Sequence, residues 1–147
     1  MAENRALTVA IDLDVLGDTI PLWRDWLAGA AGVLDVAGLP ENRVAAAAEL
    51  DARGAGNWRR LLQRFAEERA PVYLRPAAEV SAALRALQAD GAQLVVYTDA
   101  PLELAGVALA QLGATRRVDG VFIGPPPAGA SVIVRTRAEL LAPRRSA

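Results

Sequence analysis

Two short stretches carry the residue types most able to do chemistry. Val9-Ala10-Ile11-Asp12-Leu13-Asp14 is an apolar run ending in two carboxylates one residue apart, and Leu94-Val95-Val96-Tyr97-Thr98-Asp99 is a second apolar run ending in a hydroxyl and a carboxylate. Runs of this kind suit neighbouring parallel strands, whose carboxyl ends border the crevice where open α/β sheets bind ligands. Side chains two apart in extended chain share a face, so Asp12 and Asp14 are expected to work as a pair. One would attack a phosphoryl group as nucleophile, and the other would act as general acid and base. Thr98 precedes a helix start, where its hydroxyl and the free N–H groups beyond it suit a phosphate oxygen. Asp99 stands beside that anion site, and its ordinary role is to cap the helix beginning at Pro101.

Composition narrows the chemistry further. The 147-residue sequence contains no lysine, no histidine and no cysteine, so all 16 basic side chains are arginine. Thiolate and imidazole catalysis are excluded, and so are sulfur and imidazole metal ligands. Any metal must be held by oxygen, which favours magnesium, with Asp12 and Asp14 as its ligands. Arginine holds phosphate but cannot serve as a proton-transfer base. The formal net charge of −1 lacks the basic surplus that nucleic acid requires. No apolar run approaches the roughly 20 residues of a membrane helix, and Met1 to Arg5 carry no signal-peptide pattern, so a cytoplasmic location is expected.

The elements that must position these residues follow from pattern. A strand is expected from Leu7 to Ile11, buried on both faces. A helix capped by Asp18 or Thr19 follows, with Pro21 in its first turn and Trp23, Leu27 and Ala30 on one side. Gly32 and Gly38-Leu39-Pro40 punctuate the chain. Helices are expected over Glu41 to Arg53 and from Asn57 to about Arg69, the latter with Trp58, Leu61, Leu62 and Phe65 inward. Beyond Pro71 come a helix from Pro76 to Asp90, a strand from Gln93 to Tyr97, a helix to Leu112, and a strand from Val118 to Ile123. A proline-rich loop, a strand from Ser131 to Val134 and a short helix near Ala138 to Leu141 complete the series. This order predicts an α/β fold, a Rossmann-like parallel sheet with a small helical cap inserted after the first strand. The core would comprise residues 1–16 and 73–147, and the insert 17–72 would overhang the crevice as a lid.

These motifs resemble the haloacid dehalogenase (HAD) superfamily, mostly magnesium-dependent phosphatases. Ala10-Ile11-Asp12-Leu13-Asp14 with Val15 to Thr19 resembles its first motif, and Ile20 to Leu27 is similar to the deoxyribonucleotidase-like branch. Pro76 to Leu87, Gly91 and Leu94 to Pro101 resemble the helix and second motif. The resemblance implies a hydrolase of phosphomonoesterase type, forming an aspartyl-phosphate on a small phosphorylated metabolite. Asp12 would be the nucleophile, Asp14 the acid and base, and Thr98 the phosphate ligand. A register shifted by two, with Asp14 as nucleophile, resembles the dehalogenase branch.

The sequence departs from that pattern at three places. Val15-Leu16 follow the paired acids directly, as if the flap had lost a residue. The lysine of the third motif is absent, and Pro125-Pro126-Pro127 stands near its place. Arg116, Arg117 or Arg135 are the candidate substitutes, with Arg135 placed at the phosphate site. Arg135-Thr136-Arg137 replaces the acids of the fourth motif, so magnesium would be held weakly, by Asp12 with Asp99. A second reading is therefore a catalytically degenerate HAD-like protein that binds a phosphorylated ligand or a protein partner. A third is an oligomerising module that uses Trp23, Trp26, Trp58 and Phe65 of the insert as its contact surface.

Overall fold

The computed structural model describes residues 7–34 and 37–142. The expected core boundaries at 1 and 147, and the N-terminal segment judged free of a signal pattern, fall at residues outside that range. Four parallel strands form one sheet in the order β3-β2-β1-β4, with β1 at Thr8–Asp12, β2 at Gln93–Thr98, β3 at Gly120–Ile123 and β4 at Val132–Val134. Asp12 of β1 lies opposite Tyr97 of β2, so both candidate motifs end at one edge of the sheet. The α/β architecture with a helical insert after the first strand is as the residue pattern predicts.

Between β1 and β2 come α1 (Leu13–Leu16), α2 (Ile20–Leu34), α3 (Arg43–Ala52), α4 (Trp58–Tyr73) and α5 (Ala78–Ala89). Then α6 (Leu102–Gln111) precedes β3, and α7 (Arg137–Leu141) follows β4. Several boundaries differ from expectation for identifiable reasons. α2 continues through Gly32 to Leu34. α4 runs through Pro71 to Tyr73, and Leu74 N–H still closes on the Ala70 carbonyl, so the missing proline N–H affects one bond near the helix end. Leu61 is exposed rather than inward, and the buried stripe of α4 is Trp58, Leu62, Ala66 and Ala70. Gly91, at φ 85°, supplies the left-handed residue after α5 that only glycine takes without strain.

The sheet is covered unequally. Val9, Ile11, Leu94, Val96 and Val134 point into the main hydrophobic cluster, together with residues of α2 to α7. The alternate residues Ala10, Val95 and Tyr97 form a small cluster backed by Ala130 and Ile133, with no helix among the described residues. Parallel strands ordinarily carry helices on both faces. Here the connection from β3 to β4 is the loop Gly124 to Ser131, too short for a crossover helix, and Phe122 on β3 is left 42 % exposed.

The insert has no separate core, because Trp23, Trp26, Trp58, Ala46 and Leu50 join the same cluster as the sheet. The three tryptophans stack in sequence, with ring centroids 5.4 Å apart for Trp23 and Trp26 and 6.1 Å for Trp26 and Trp58. Each is almost wholly buried, which withdraws them from the contact surface expected of the aromatic insert. A polar network closes the end of α3 on α4. Trp58 Nε1 donates to Asp51 Oδ1 at 2.9 Å, Arg59 bridges Asp51 and Glu103 of α6, and its guanidinium lies 4.5 Å from the Trp58 ring centroid.

Arg59 and the Trp58 indole together hold the Asp51 carboxyl below its ordinary range. The native state therefore keeps Asp51 ionised more firmly than the unfolded chain does. That contribution is present above the ordinary carboxylate range and is lost as pH falls through the depressed native value. Asp51→Asn should lower the melting temperature at neutral pH, and its deficit relative to wild type should close as pH falls through the depressed native range of the Asp51 carboxyl, checked by thermal melts across pH. Leu62→Ala, fully buried in α4, should cost about 2–4 kcal/mol in urea unfolding.

Candidate functional site

The crevice outside the carboxyl ends of β1 and β2 is lined by Asp12, Asp14, Asn42, Val44, Tyr97, Thr98, Asp99, Gly124 and Pro125, and encloses about 500 Å³. A larger hollow of about 640 Å³ lies elsewhere, between α4 and α6, over Gln63, Leu102, Gly106 and Val107. It lies away from the strand ends, and none of the paired acids reaches it.

Asp12 ends β1, and its Oδ1 accepts the N–H of Asp14 at 3.0 Å, capping the single turn of α1. The pair is thus not an extended-chain pair as expected. The backbone turns helical at Leu13, which aims Asp14 toward the insert while Asp12 stays on the sheet edge. Asp14 Oδ1 accepts from Thr19 N–H at 2.9 Å and from Thr19 Oγ1 at 2.7 Å, and its Oδ2 accepts from Arg43 Nη2 at 3.4 Å. Thr19 therefore serves Asp14, and Asp18 bonds the N–H of Ile20, the first residue of α2.

Arg43 is the residue that sequence reasoning missed. It begins α3 behind the cap Asn42, whose Oδ1 accepts from Ala45 N–H. It is 1 % exposed and is the centre of the site's polar network. Its backbone N–H and its Nε each donate to Asp99 at 2.9 Å, and its Nη1 donates to Thr19 Oγ1 at 2.8 Å. Asp99 was expected to cap the helix at Pro101. Instead α6 begins at Leu102 with no side-chain cap, and the Asp99 carboxylate clasps the start of α3. The signal available in the sequence was the surplus of acids: three carboxylates at two strand ends require a cation, and Arg43 follows a capping asparagine in the segment that must overhang them.

Thr98 is 3 % exposed, and its hydroxyl oxygen accepts from Ala100 N–H at 3.1 Å. Its own proton has no acceptor among the described residues. Tyr97, 8 % exposed, borders the crevice while its side chain packs with Ala10 and Val95, and its hydroxyl has no hydrogen-bond partner among the described residues. Arg135 follows β4 with an exposed side chain outside the crevice lining, and its backbone N–H donates to Glu139. Arg117 bonds Gln88, far from the crevice. The guanidinium within the site is thus that of Arg43, and none of the expected substitutes for the missing lysine lines it.

Burial raises the Asp12 carboxyl above its ordinary range. The Asp14 N–H bond and Arg43 oppose that rise, and the Asp14 and Asp99 carboxylates add to it. Burial also raises Tyr97, with Asp12 adding to the effect, so its phenol keeps its proton at neutral pH. The donor set does not fit magnesium. Both oxygens of Asp14 and both of Asp99 hold hydrogen-bond donors, a guanidinium lies 3.4 Å from Asp14, and among the described residues no group of three acids could hold a metal ion.

No family model matches the sequence, and no curated protein matches it. Among solved structures, a protein from Thermotoga maritima provisionally named beta-phosphoglucomutase superposes with a TM-score of 0.50 at 22% identity, over 80% of this chain. The fold is HAD-like. The matched region is 61% of that protein's length, so this chain spans less than two thirds of it. No helix among the described residues is long and apolar enough to cross a membrane.

Two variants separate the roles of the acids and of Arg43. Arg43→Met should destabilise by about 2–4 kcal/mol, below the full cost of breaking a buried pair because Asp14 and Asp99 are about a third exposed. Urea unfolding measures it. Asp12→Asn should raise the melting temperature at neutral pH, because the native state penalises the ionised form. That gain should vanish as pH falls below about 4, where the carboxyl is protonated in folded and unfolded chains alike.

Proposed function

We propose that this chain is a catalytically degenerate HAD-like protein, whose crevice binds a small ligand without turning it over. One observation carries this reading. The guanidinium at the site is buried beneath the crevice and committed to Asp14, Asp99 and Thr19. Attack by a carboxylate on a phosphate ester requires positive charge facing the ester, to offset repulsion and the charge that develops in transfer. The crevice lining offers three carboxylates and no cationic side chain. A general acid also needs an oxygen free to exchange its proton with the leaving group. Asp14 has its oxygens on Thr19 and Arg43 instead.

A second reading rests on a separate observation. Asp12 Oδ2 has no partner among the described residues, and Thr98 lines the same crevice. That is the pair a phosphomonoesterase would use, with Asp12 forming an aspartyl-phosphate, Asp14 handling the proton and magnesium supplied by solution. The name of the Thermotoga maritima neighbour makes glucose 1-phosphate the first substrate to try.

Phosphate release from p-nitrophenyl phosphate and glucose 1-phosphate, with and without magnesium, decides between the two. Wild type and Asp12→Asn should both stay at the buffer background. Magnesium-dependent turnover that disappears in Asp12→Asn would sink the degenerate reading and establish the phosphatase.

A further inference from the structure

The outward face of α4 carries its charges in an order that does not favour the helix by itself. Arg60, Gln63, Arg64 and Glu67 follow one another at helical spacing on exposed positions, and Glu68 stands beside them. The basic residues lie toward the N-terminus and the acids beyond them, the reverse of what the helix dipole favours, and the first turn holds no acid. Arg60 and Arg64, four apart, also repel. Arg59 is offset by Asp51 and Glu103, but Arg60, Arg64, Glu67 and Glu68 have no hydrogen-bond or ion-pair partner among the described residues. Beside this stripe runs the hollow of about 640 Å³ between α4 and α6, and its α6 wall is apolar, with Leu102 left 56 % exposed. The two helices run in the same direction, since Arg59 reaches Glu103 at one end and Gln111 reaches the Leu74 carbonyl at the other. Charge stripe and groove therefore form one surface, in which Gly106 is level with Gln63 and Glu67.

We propose that this face binds a second copy of the chain, across a twofold axis that crosses both helices. The interface is separate from the crevice at the strand ends and holds whether or not that crevice turns a substrate over. A twofold laid across two parallel neighbours sets α4 antiparallel to α4 of the second copy, and α6 likewise. With the axis level with the middle of α4, Arg64 of each copy meets Glu67 of the other, and the basic end of each helix lies toward the acids of its counterpart. The charge order that is adverse in one helix becomes complementary in the pair. An unrelated protein would need to bring the opposite order, whereas a second copy brings it by symmetry. On α6 the same axis passes near Gly106, so that exposed Leu102 enters the groove of the second copy over Ala110. A Cβ added at Gly106 would meet nothing within 4 Å, so the groove is open where the two α6 backbones approach.

Sedimentation equilibrium on the full chain over a dilution series tests this. The wild type should show a monomer–dimer equilibrium that weakens as salt is raised, because the paired charges are exposed. Glu67→Arg and Arg64→Glu should each weaken association at least ten-fold. Combined in one chain they should restore it, since the exchanged charges meet again across a twofold. Gly106→Trp, at an exposed position with open space around it, should abolish association while the circular dichroism spectrum keeps its helical signal. A wild type that stays monomeric throughout the series would overturn the proposal. So would a dimer indifferent to Gly106→Trp and Glu67→Arg, which would lie on another face, or a double variant that associates no better than either single one. Phosphate-ester turnover is read separately and bears only on the crevice, so failure there and failure here are distinguishable.

Discussion

The structure of the crevice depends on one buried charge. Arg43 reaches from the first turn of α3 to the ends of both central strands, and with it the insert and the sheet share a polar joint as well as a hydrophobic one. A guanidinium this deeply buried is tolerated only if its charge is matched and its donors are placed. Asp99 meets it with Oδ1 while its Oδ2 holds the Arg43 backbone N–H, Thr19 relays it to Asp14, and Asp14 receives it directly. These partners in turn fix the local chain. Thr19 is drawn back toward α1 rather than left to cap α2, and Asp99 is drawn away from α6.

This joint also explains why the three acids differ. Asp14 and Asp99 have a cationic partner in contact, whereas Asp12 is held by a backbone N–H alone, and burial raises its carboxyl with the neighbouring carboxylates adding to the rise. The asymmetry is set by the turn of backbone at Leu13. Had the strand continued, Asp12 and Asp14 would lie on one face with similar surroundings. One helical turn separates them into a structural acid and an uncompensated one.

Much of the fold was legible because its signals are local. Apolar runs of strand length, Gly91 after a helical stripe and the alternation of elements past Pro76 each follow from near-neighbour physics. What escaped depends on contacts distant in sequence. Arg43 looks like the solvent-facing start of an alanine-rich helix, and arginine is seldom buried, so nothing within its own segment marks it. The order of preference at Asp99 was reversed for the same reason, since a partner 56 residues away outcompetes the nearby helix end. The proline-rich loop after β3 was readable as lacking a helix. Its consequence for the second face of the sheet needed the strand order, which places β4 beside β1 and leaves that short loop to cross the sheet.

On the proposed binding role, motif likeness and chemical capacity separate in this molecule. The acids at the end of β1 and the threonine at the end of β2 reproduce a pattern associated with phosphoryl transfer, and the HAD-like fold brings them to one crevice. The work of such a pair depends on what faces it, because a carboxylate next to an anion is a repulsive arrangement until a cation is interposed. Here the cation comes from the insert, lies beneath the acids rather than opposite them, and neutralises the acid expected to move the proton. With that charge committed to Asp14 and Asp99, Asp12 is left at the crevice without a cationic partner. The fold permits either outcome, and on the proposed reading the position of a single guanidinium selects between them.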